Sequence, residues 1–377
     1  MIRHTSRYIR FARHPHMARH LPELFAVETR QPTHRRRVLK STVGITTAGA
    51  LGAVYTDGGV EPEGTNETSD ATATQRRDSG AGPADATPPG ELTLIAHRGF
   101  AGENPENTVT AAQAAASESR STDDEGTTTR QADVIEIDVV PTADDDVVVF
   151  HDNNLAGRNG GERGLTDETG VVWETETMTV TGAEVLRSGD TVPRLSTLLE
   201  AVPPEVGVNV ELKNPGRYDL RFDEKLSPDA LADRRVAWQP FVDRVVDILD
   251  AHDNEFLCSS FCEGALAATR DTSSYPVAPI VYESVGDGLA IARAHDAAAV
   301  HAPMKVIFGT PFHDPAVTAG VDLVAEAHAD GREVNVWTVD TWYQASRLAA
   351  AGVDGIAADY SGLLPASGEM SAGDTQS

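Results

Sequence analysis

Residues 134–140 read Val-Ile-Glu-Ile-Asp-Val-Val. Five of the seven side chains are β-branched and apolar, the composition of a strand that packs inside a protein. Glu136 and Asp138 interrupt it. Side chains at i and i+2 point to the same face of a strand, so the two carboxylates share a face and Ile135, Ile137 and Val139 share the other. A single E-x-D on a strand ordinarily marks a solvent-facing edge, because charged side chains are mostly exposed. Two further interruptions of the same kind reverse that reading. His97 and Arg98 end the apolar run Leu92–Ala96, and Glu211 and Lys213 interrupt and close the run Val206–Leu212.

Outward from this segment, apolar runs recur at Val147–Phe150, Phe256–Phe261, Val277–Tyr282, Ala298–His301, Val334–Val339 and Gly355–Ala358. Helical spacing lies between many of them: Thr108–Glu118, a short helix near Leu195–Ala201, Val236–His252, Ala316–Ala329 and Trp342–Ala351. Alternating strand and helix over some 270 residues predicts an α/β domain with a parallel sheet. The length and strand number favour a (β/α)8 TIM barrel over an open sheet. Nine strands compete for eight places. Pro141–Asp146 is too short for a parallel crossover, so Val147–Phe150 is the return arm of a hairpin outside the barrel proper. With the turn centred near Asp145, residues 138 and 152 face each other and His151 returns to the level of Asp138. Residues 153–195, rich in Gly, Thr and Glu, form a small insertion after the second strand and hairpin. Residues 214–235 read as a second loop insertion.

The 377-residue chain has 31 Lys+Arg against 58 Asp+Glu, a net charge of −27. Such a field repels a phosphate backbone, so nucleic acid is excluded as a partner. The charge is unevenly spread. Residues 1–56 hold ten basic and two acidic side chains, +8 in all, which leaves −35 for the remainder. Lysine occurs at only four positions, 40, 213, 225 and 305. Self-repulsion of this size is screened at molar salt, where the Debye length is about 3 Å. A halophilic source is therefore expected.

Residues 1–55 read as an export address. Arg35-Arg36-Arg37-Val38-Leu39-Lys40 precedes about 15 small and apolar residues, a pattern similar to a twin-arginine signal, with Met17 an alternative start. The run is too short and too rich in Gly and Thr for a stable membrane span, although an uncleaved signal would tether the domain outside the cell. Residues 56–90 have the composition of a disordered acidic linker, the folded domain covers 91–366, and 367–377 form a disordered tail. Cys258 and Cys262 are the chain's two cysteines, and i and i+4 on a continuous strand lie ~13 Å apart, so two buried thiols are expected in place of a disulfide.

The polar interruptions cluster at C-terminal strand ends, where barrel active sites are built. Converging Glu136, Asp138 and Glu211 are tolerable inside a protein when a cation neutralises them, and a carboxylate-only set suits one hard divalent ion, Mg²⁺, Ca²⁺ or Mn²⁺. His97 and His151 are candidate acid/base groups near neutral pH. Arg98 and Lys213, a planar fork and a point charge, suit phosphate.

Taken in order, HRG (97–99), PENT (105–108), E-x-D (136–138), HD (151–152), E-x-K (211–213), SSF (259–261), VWTVD (336–340) and DGIAADY (354–360) resemble the glycerophosphodiester phosphodiesterase family across 92–364. The resemblance implies a phospholipase-C-like (β/α)8 barrel and divalent-metal hydrolysis of a small-molecule glycerophosphodiester to an alcohol and glycerol 3-phosphate. It implies His97 and His151 as the acid/base pair, Glu136, Asp138 and Glu211 as metal ligands, and Arg98 and Lys213 as phosphate holders. Glu106 and Asn107 resemble site-supporting residues, and Asn107 is also a candidate helix cap. Trp337 resembles the aromatic that lines the substrate pocket. The attacker is either water or a neighbouring substrate hydroxyl that first forms a cyclic phosphate. A lipid-cleaving lysophospholipase D or phospholipase C relative, and an exported binding protein without catalysis, are the competing readings.

Overall fold

The Val134–Val140 segment forms the strand β2 (Val134–Pro141) at the centre of a nine-stranded sheet in the computed structural model. The structure describes residues 92–117, 131–157 and 165–364. The export segment, the linker 56–90 and the tail 367–377 lie outside the described residues, as does most of the Glu118–Ala132 connection.

The strands are β1 (Thr93–Ala96), β2, β3 (Val147–Val149), β4 (Gly207–Leu212), β5 (Phe256–Ser260), β6 (Val277–Pro279), β7 (Ala299–Pro303), β8 (Glu333–Val339) and β9 (Gly355–Ala358). Eight run in the order β6-β5-β4-β2-β1-β9-β8-β7, with parallel pairings. A parallel bridge between Ile280 and His301 joins the two ends, where the Val281 N–H donates to the His301 carbonyl at 2.8 Å. The sheet thus closes into the expected (β/α)8 barrel, with β3 outside it as the antiparallel arm of a hairpin.

The hairpin register differs from the expected one by two residues. Val139 pairs with Val149, and the Phe150 N–H donates to the Asp138 carbonyl, so Phe150 rather than Asp152 faces Asp138. The turn is centred on Asp144: the Thr142 N–H and Asp146 carbonyl bond at 2.9 Å, and Asp145 takes a positive φ of 66°. A shift of two preserves which face each side chain occupies.

The helices are α1 (Val109–Ala115), α2 (Thr177–Val180), α3 (Leu195–Leu199), α4 (Pro228–Leu249), α5 (Glu263–Thr272), α6 (Val285–Ala294), α7 (Pro315–Thr318), α8 (Leu323–Ala329) and α9 (Trp342–Ala350). The sequence reading names no helix at α2, α5 or α6, and two of the others depart from it. α4 begins eight residues before Val236, because Ser227 caps it by accepting from the Ala230 N–H and Pro228 suits the first turn. The loop after β4 is correspondingly shorter. The single helix expected over Ala316–Ala329 is broken by left-handed Ala319 and Gly320, and Asp322 caps the second piece.

Alternation along the strands sorts the core. Ile135, Ile137, Val208, Val210, Cys258, Val300, Val334, Val336 and Ile356 pack outward in one apolar cluster with Trp238, Phe241 and Val245 of α4. The other face of the same strands carries Glu136, Asp138, Asn209, Glu211, Ser259, His301 and Asn335 into the barrel, all buried. The insertion after the hairpin has a small core of its own, in which Val140, Val148 and Phe150 meet Leu155, Leu165, Val172, Val180, Val185 and Val192. Cys258 and Cys262 are both buried free thiols. Among the described residues no helix is long and apolar enough to cross a membrane.

Candidate active site

The chain turns sharply as it leaves β1. His97–Gly99 forms one 3-10 turn, and Arg98, Gly99 and Phe100 all take positive φ. At Gly99 a Cβ would stand 2.7 Å from that of Ala111 on α1, so this tight passage requires glycine. The turn brings the Arg98 backbone N–H to Glu136 Oε2 at 2.9 Å. The Arg98 guanidinium forks between Glu106 Oε1 at 2.8 Å and Asp138 Oδ2 at 3.2 Å. Asn107, also at positive φ, clasps Asp138 from both sides: its Nδ2 donates to Oδ2 at 2.8 Å and its Oδ1 accepts from the Asp138 N–H at 3.3 Å. Asn107 is not the cap of α1; Thr108 is, accepting from the Ala111 N–H.

Glu136, Asp138 and Glu211 each offer an oxygen within 4.8 Å of the others. They meet because β2 and β4 pair in parallel, with Asp138 beside Glu211. Lys213 Nζ lies 2.6 Å from Glu211 Oε1 and 3.4 Å from Asp138 Oδ1. Both expected phosphate holders, Arg98 and Lys213, are thus paired with carboxylates. The buried group of Glu106, Glu136, Asp138 and Glu211 against Arg98 and Lys213 sums to −2 when all are ionised.

Its electrostatics follow from burial. Burial first, then Asp138 and Glu211, push the Glu136 carboxyl well above the usual carboxylate range. Burial also lifts Glu211, against the pull of Lys213. At Asp138 burial acts upward too, but Lys213, Arg98 and the Asn107 amide outweigh it and hold the carboxyl below its usual value. Burial would lower Lys213, yet Glu211 and Asp138 raise it and keep it charged. Glu136 Oε1 is buried with no hydrogen-bond partner. A lone acceptor ringed by carboxylate oxygens, in a cluster that full ionisation would leave at −2, fits a hard divalent cation.

The two histidines are each braced by an aspartate. His97 Nδ1 is 2.6 Å from Asp359 Oδ1, and His151 Nδ1 is 2.5 Å from Asp152 Oδ1. A carboxylate at Nδ1 favours the proton there and leaves Nε2 for proton exchange. His97 also lies near enough to Asp138 to help lower it. Asp359 directly follows β9 within the DGIAADY stretch, and its place after an apolar strand is the signal for a role the sequence reading does not assign.

Trp337 does not join the charged group. It packs against Phe261 (centroids 5.8 Å apart, edge-on) and Tyr282 (6.4 Å, stacked). This aromatic wall meets the charged side where Lys213 Nζ stands 5.7 Å from the Phe261 ring centre. Phe261 and Tyr282 escaped the sequence reading as site residues because each closes an apolar strand and looks like core.

Comparison with known proteins gives the family and the fold. The profile of the glycerophosphoryl diester phosphodiesterase family matches residues 97–363. A curated glycerophosphodiester phosphodiesterase of Bacillus altitudinis is 27% identical over 286 residues, covering 71% of this chain and 94% of the relative. An Oleispira antarctica phosphodiesterase, solved in complex with the product sn-glycerol-3-phosphate, is 22% identical with a TM-score of 0.53, covering 72% of this chain and 94% of that one. A glycerophosphodiester phosphodiesterase of Agrobacterium tumefaciens is 20% identical with a TM-score of 0.51, covering 72% and 98%. The two solved structures share the fold.

Proposed function

Because the chain belongs to the glycerophosphoryl diester phosphodiesterase family and is an enzyme of that class, we propose that it hydrolyses glycerophosphodiesters to an alcohol and glycerol 3-phosphate with one divalent cation and the His97–His151 pair. The observation that carries this reading is the buried Glu136–Asp138–Glu211 set, with its unpartnered Glu136 oxygen. A Mg²⁺, Ca²⁺ or Mn²⁺ ion held by these three carboxylates would supply positive charge against the phosphoryl oxygens. Arg98 and Lys213 are the cations at hand to hold the phosphate and to meet the charge that builds in the transition state. One histidine takes the proton of the attacking oxygen at Nε2. The other gives a proton to the leaving alkoxide. Asp359 and Asp152 keep each ring oriented and favour the tautomer that does this. The aromatic wall offers apolar surface to the carbon skeleton of the substrate.

Export through the Arg35–Lys40 signal and adaptation to high salt belong to the same proposal. They rest on the +8 segment followed by a −35 remainder. The test is release of glycerol 3-phosphate from glycerophosphocholine, glycerophosphoethanolamine and glycerophosphoglycerol at molar salt. Expected are turnover, loss of turnover on exhaustive chelation, rescue by one of the three ions, and a melting temperature that rises with salt. No release with any ion overturns the activity, undiminished turnover after chelation overturns the metal, and equal stability in low and molar salt overturns the halophilic reading.

A further inference from the structure

The segment between β4 and α4 leaves the charged group at Lys213 and crosses the ends of β5 and β6. Its middle is pinned by one side chain. Asp223 Oδ2 accepts from both the Glu283 N–H at 2.7 Å and the Ser284 N–H at 2.8 Å. The Asp223 N–H donates to the Phe261 carbonyl at 2.9 Å. Asp223 itself takes a positive φ of 52°, a conformation that such a clamp must hold in place. A second anchor follows at once, where Lys225 Nζ and the Leu226 N–H bond the two oxygens of buried Glu263 at 2.6 and 2.7 Å.

The three backbone groups that Asp223 holds have one thing in common. Phe261 carries the ring that meets Trp337 edge-on, and Glu283 directly follows Tyr282, whose ring stacks on Trp337. Ser284 is the cap of α6 and fixes the chain just beyond. Through these bonds the Asp223 carboxylate holds the chain beside Tyr282 and its backbone N–H holds Phe261, so one residue sets the spacing of both rings that flank the indole. The Trp337 Nε1–H is buried and has no hydrogen-bond partner, so nothing polar holds the indole itself. Phe261 and Tyr282 are the rings that flank it.

We propose that Asp223 is a positioning residue that fixes the Phe261–Trp337–Tyr282 wall and thereby sets the affinity for the carbon skeleton of the substrate. It touches no reacting atom; it acts through the rings. This rests on the phosphodiester reading of the neighbouring site. It goes beyond that reading in giving the segment after Lys213 a part in substrate recognition.

The carboxylate offers its own control. Oδ2 carries both amide bonds, while Oδ1 is buried with no partner. Asp223→Asn therefore keeps both acceptor bonds through its single carbonyl oxygen, whereas Asp223→Ala removes them. The full chain is assayed with glycerophosphocholine, and Trp337 is followed by emission, with Trp337→Phe as the background. Asp223→Ala should raise KM about tenfold with kcat within about twofold, the pattern of lost substrate binding. Its emission should shift, and that shift should vanish on the Trp337→Phe background. Asp223→Asn should restore both readouts. If the alanine variant does not fold, Asp223→Glu, which keeps the charge and displaces the clamp by one methylene, carries the same expectations. A lowered melting temperature with unchanged KM and unchanged Trp337 emission would reduce Asp223 to a structural residue and overturn the proposal. If the wild type releases no glycerol 3-phosphate, the proposed activity fails, and the emission readout alone then decides the role of Asp223.

Discussion

The two halves of the barrel mouth solve the problem of buried polarity in opposite ways. Around β1, β2 and β4 the interior carries ionisable groups: Glu106, Glu136, Asp138 and Glu211 against Arg98 and Lys213. Around β5 to β8 it carries neutral groups: Ser259, His301 and Asn335, with Phe261, Tyr282 and Trp337 above them. His301 shows that the difference is enforced. It is titratable and buried, and burial drives it down to about 4, so the ring is neutral at pH 7. Its Nε2 lies 3.3 Å from the Asn335 amide, which donates to a neutral imidazole. Buried charge is concentrated on the side where a phosphate would be held; on the other side the cation against the rings is the partly exposed Lys305, 3.8 Å over Tyr282 and paired with Glu283. That division lets a site hold an anion without surrounding the whole substrate with costly buried ions.

The comparison breaks most visibly if charge-side residues prove dispensable. His97→Ala or His151→Ala should lower kcat by about 10² to 10⁴-fold, the range for loss of a general acid or base, with an unchanged circular dichroism spectrum. Near-normal turnover in either variant removes the paired-histidine chemistry. On the neutral side the sharpest expectation concerns pH. Unfolded, His301 takes a proton near 6.5; folded, it does so only near 4. Above pH 6.5 the ring is neutral in both states and adds no pH dependence. As pH falls below 6.5 the unfolded chain binds a proton that the fold refuses, so stability is lost down to about pH 4, by up to about 3 kcal/mol. His301→Gln should remove that part of the slope in a denaturant series. An unaltered slope means that the ring charges freely in the fold. The smallest expected effect is at Trp337. Trp337→Ala should raise KM by about tenfold with little change in kcat, the converse of the histidine variants. A collapse of kcat instead would mean that the two halves are not functionally separate.

Much of the charged half is legible in the sequence. Charged residues two apart on an apolar strand must share a face, and pairing two such strands in parallel puts those faces on one side of the sheet. The convergence of Glu136, Asp138 and Glu211 was therefore legible from spacing, and their role as a ligand set came from the family resemblance. The neutral half was hidden for a related reason. Phe261 and Tyr282 carry no charge that would interrupt a strand, so nothing separates them from core residues until the barrel closes and Trp337 arrives from β8. The hairpin register was misjudged by two residues because turn length follows from a local left-handed residue, Asp145, that many sequences could supply. The break between α7 and α8 was misjudged for the converse reason. Thr318-Ala319-Gly320 continues an alanine-rich pattern, and only the chain's path decides whether a glycine there ends the helix.

By itself the sequence determined the order of the strands, the closed parallel barrel and the identity of the converging charges. These follow from periodicity and from the cost of burying an unpaired carboxylate, and both act within a few residues. Only the tertiary structure decided which aspartate braces each histidine, which rings stand on Trp337, and that Asp223 clamps them. Asp359 reaches His97 across 262 positions and Asp223 reaches Ser284 across 61. Contacts at such separations are set by the closure of the sheet, and no local pattern encodes them.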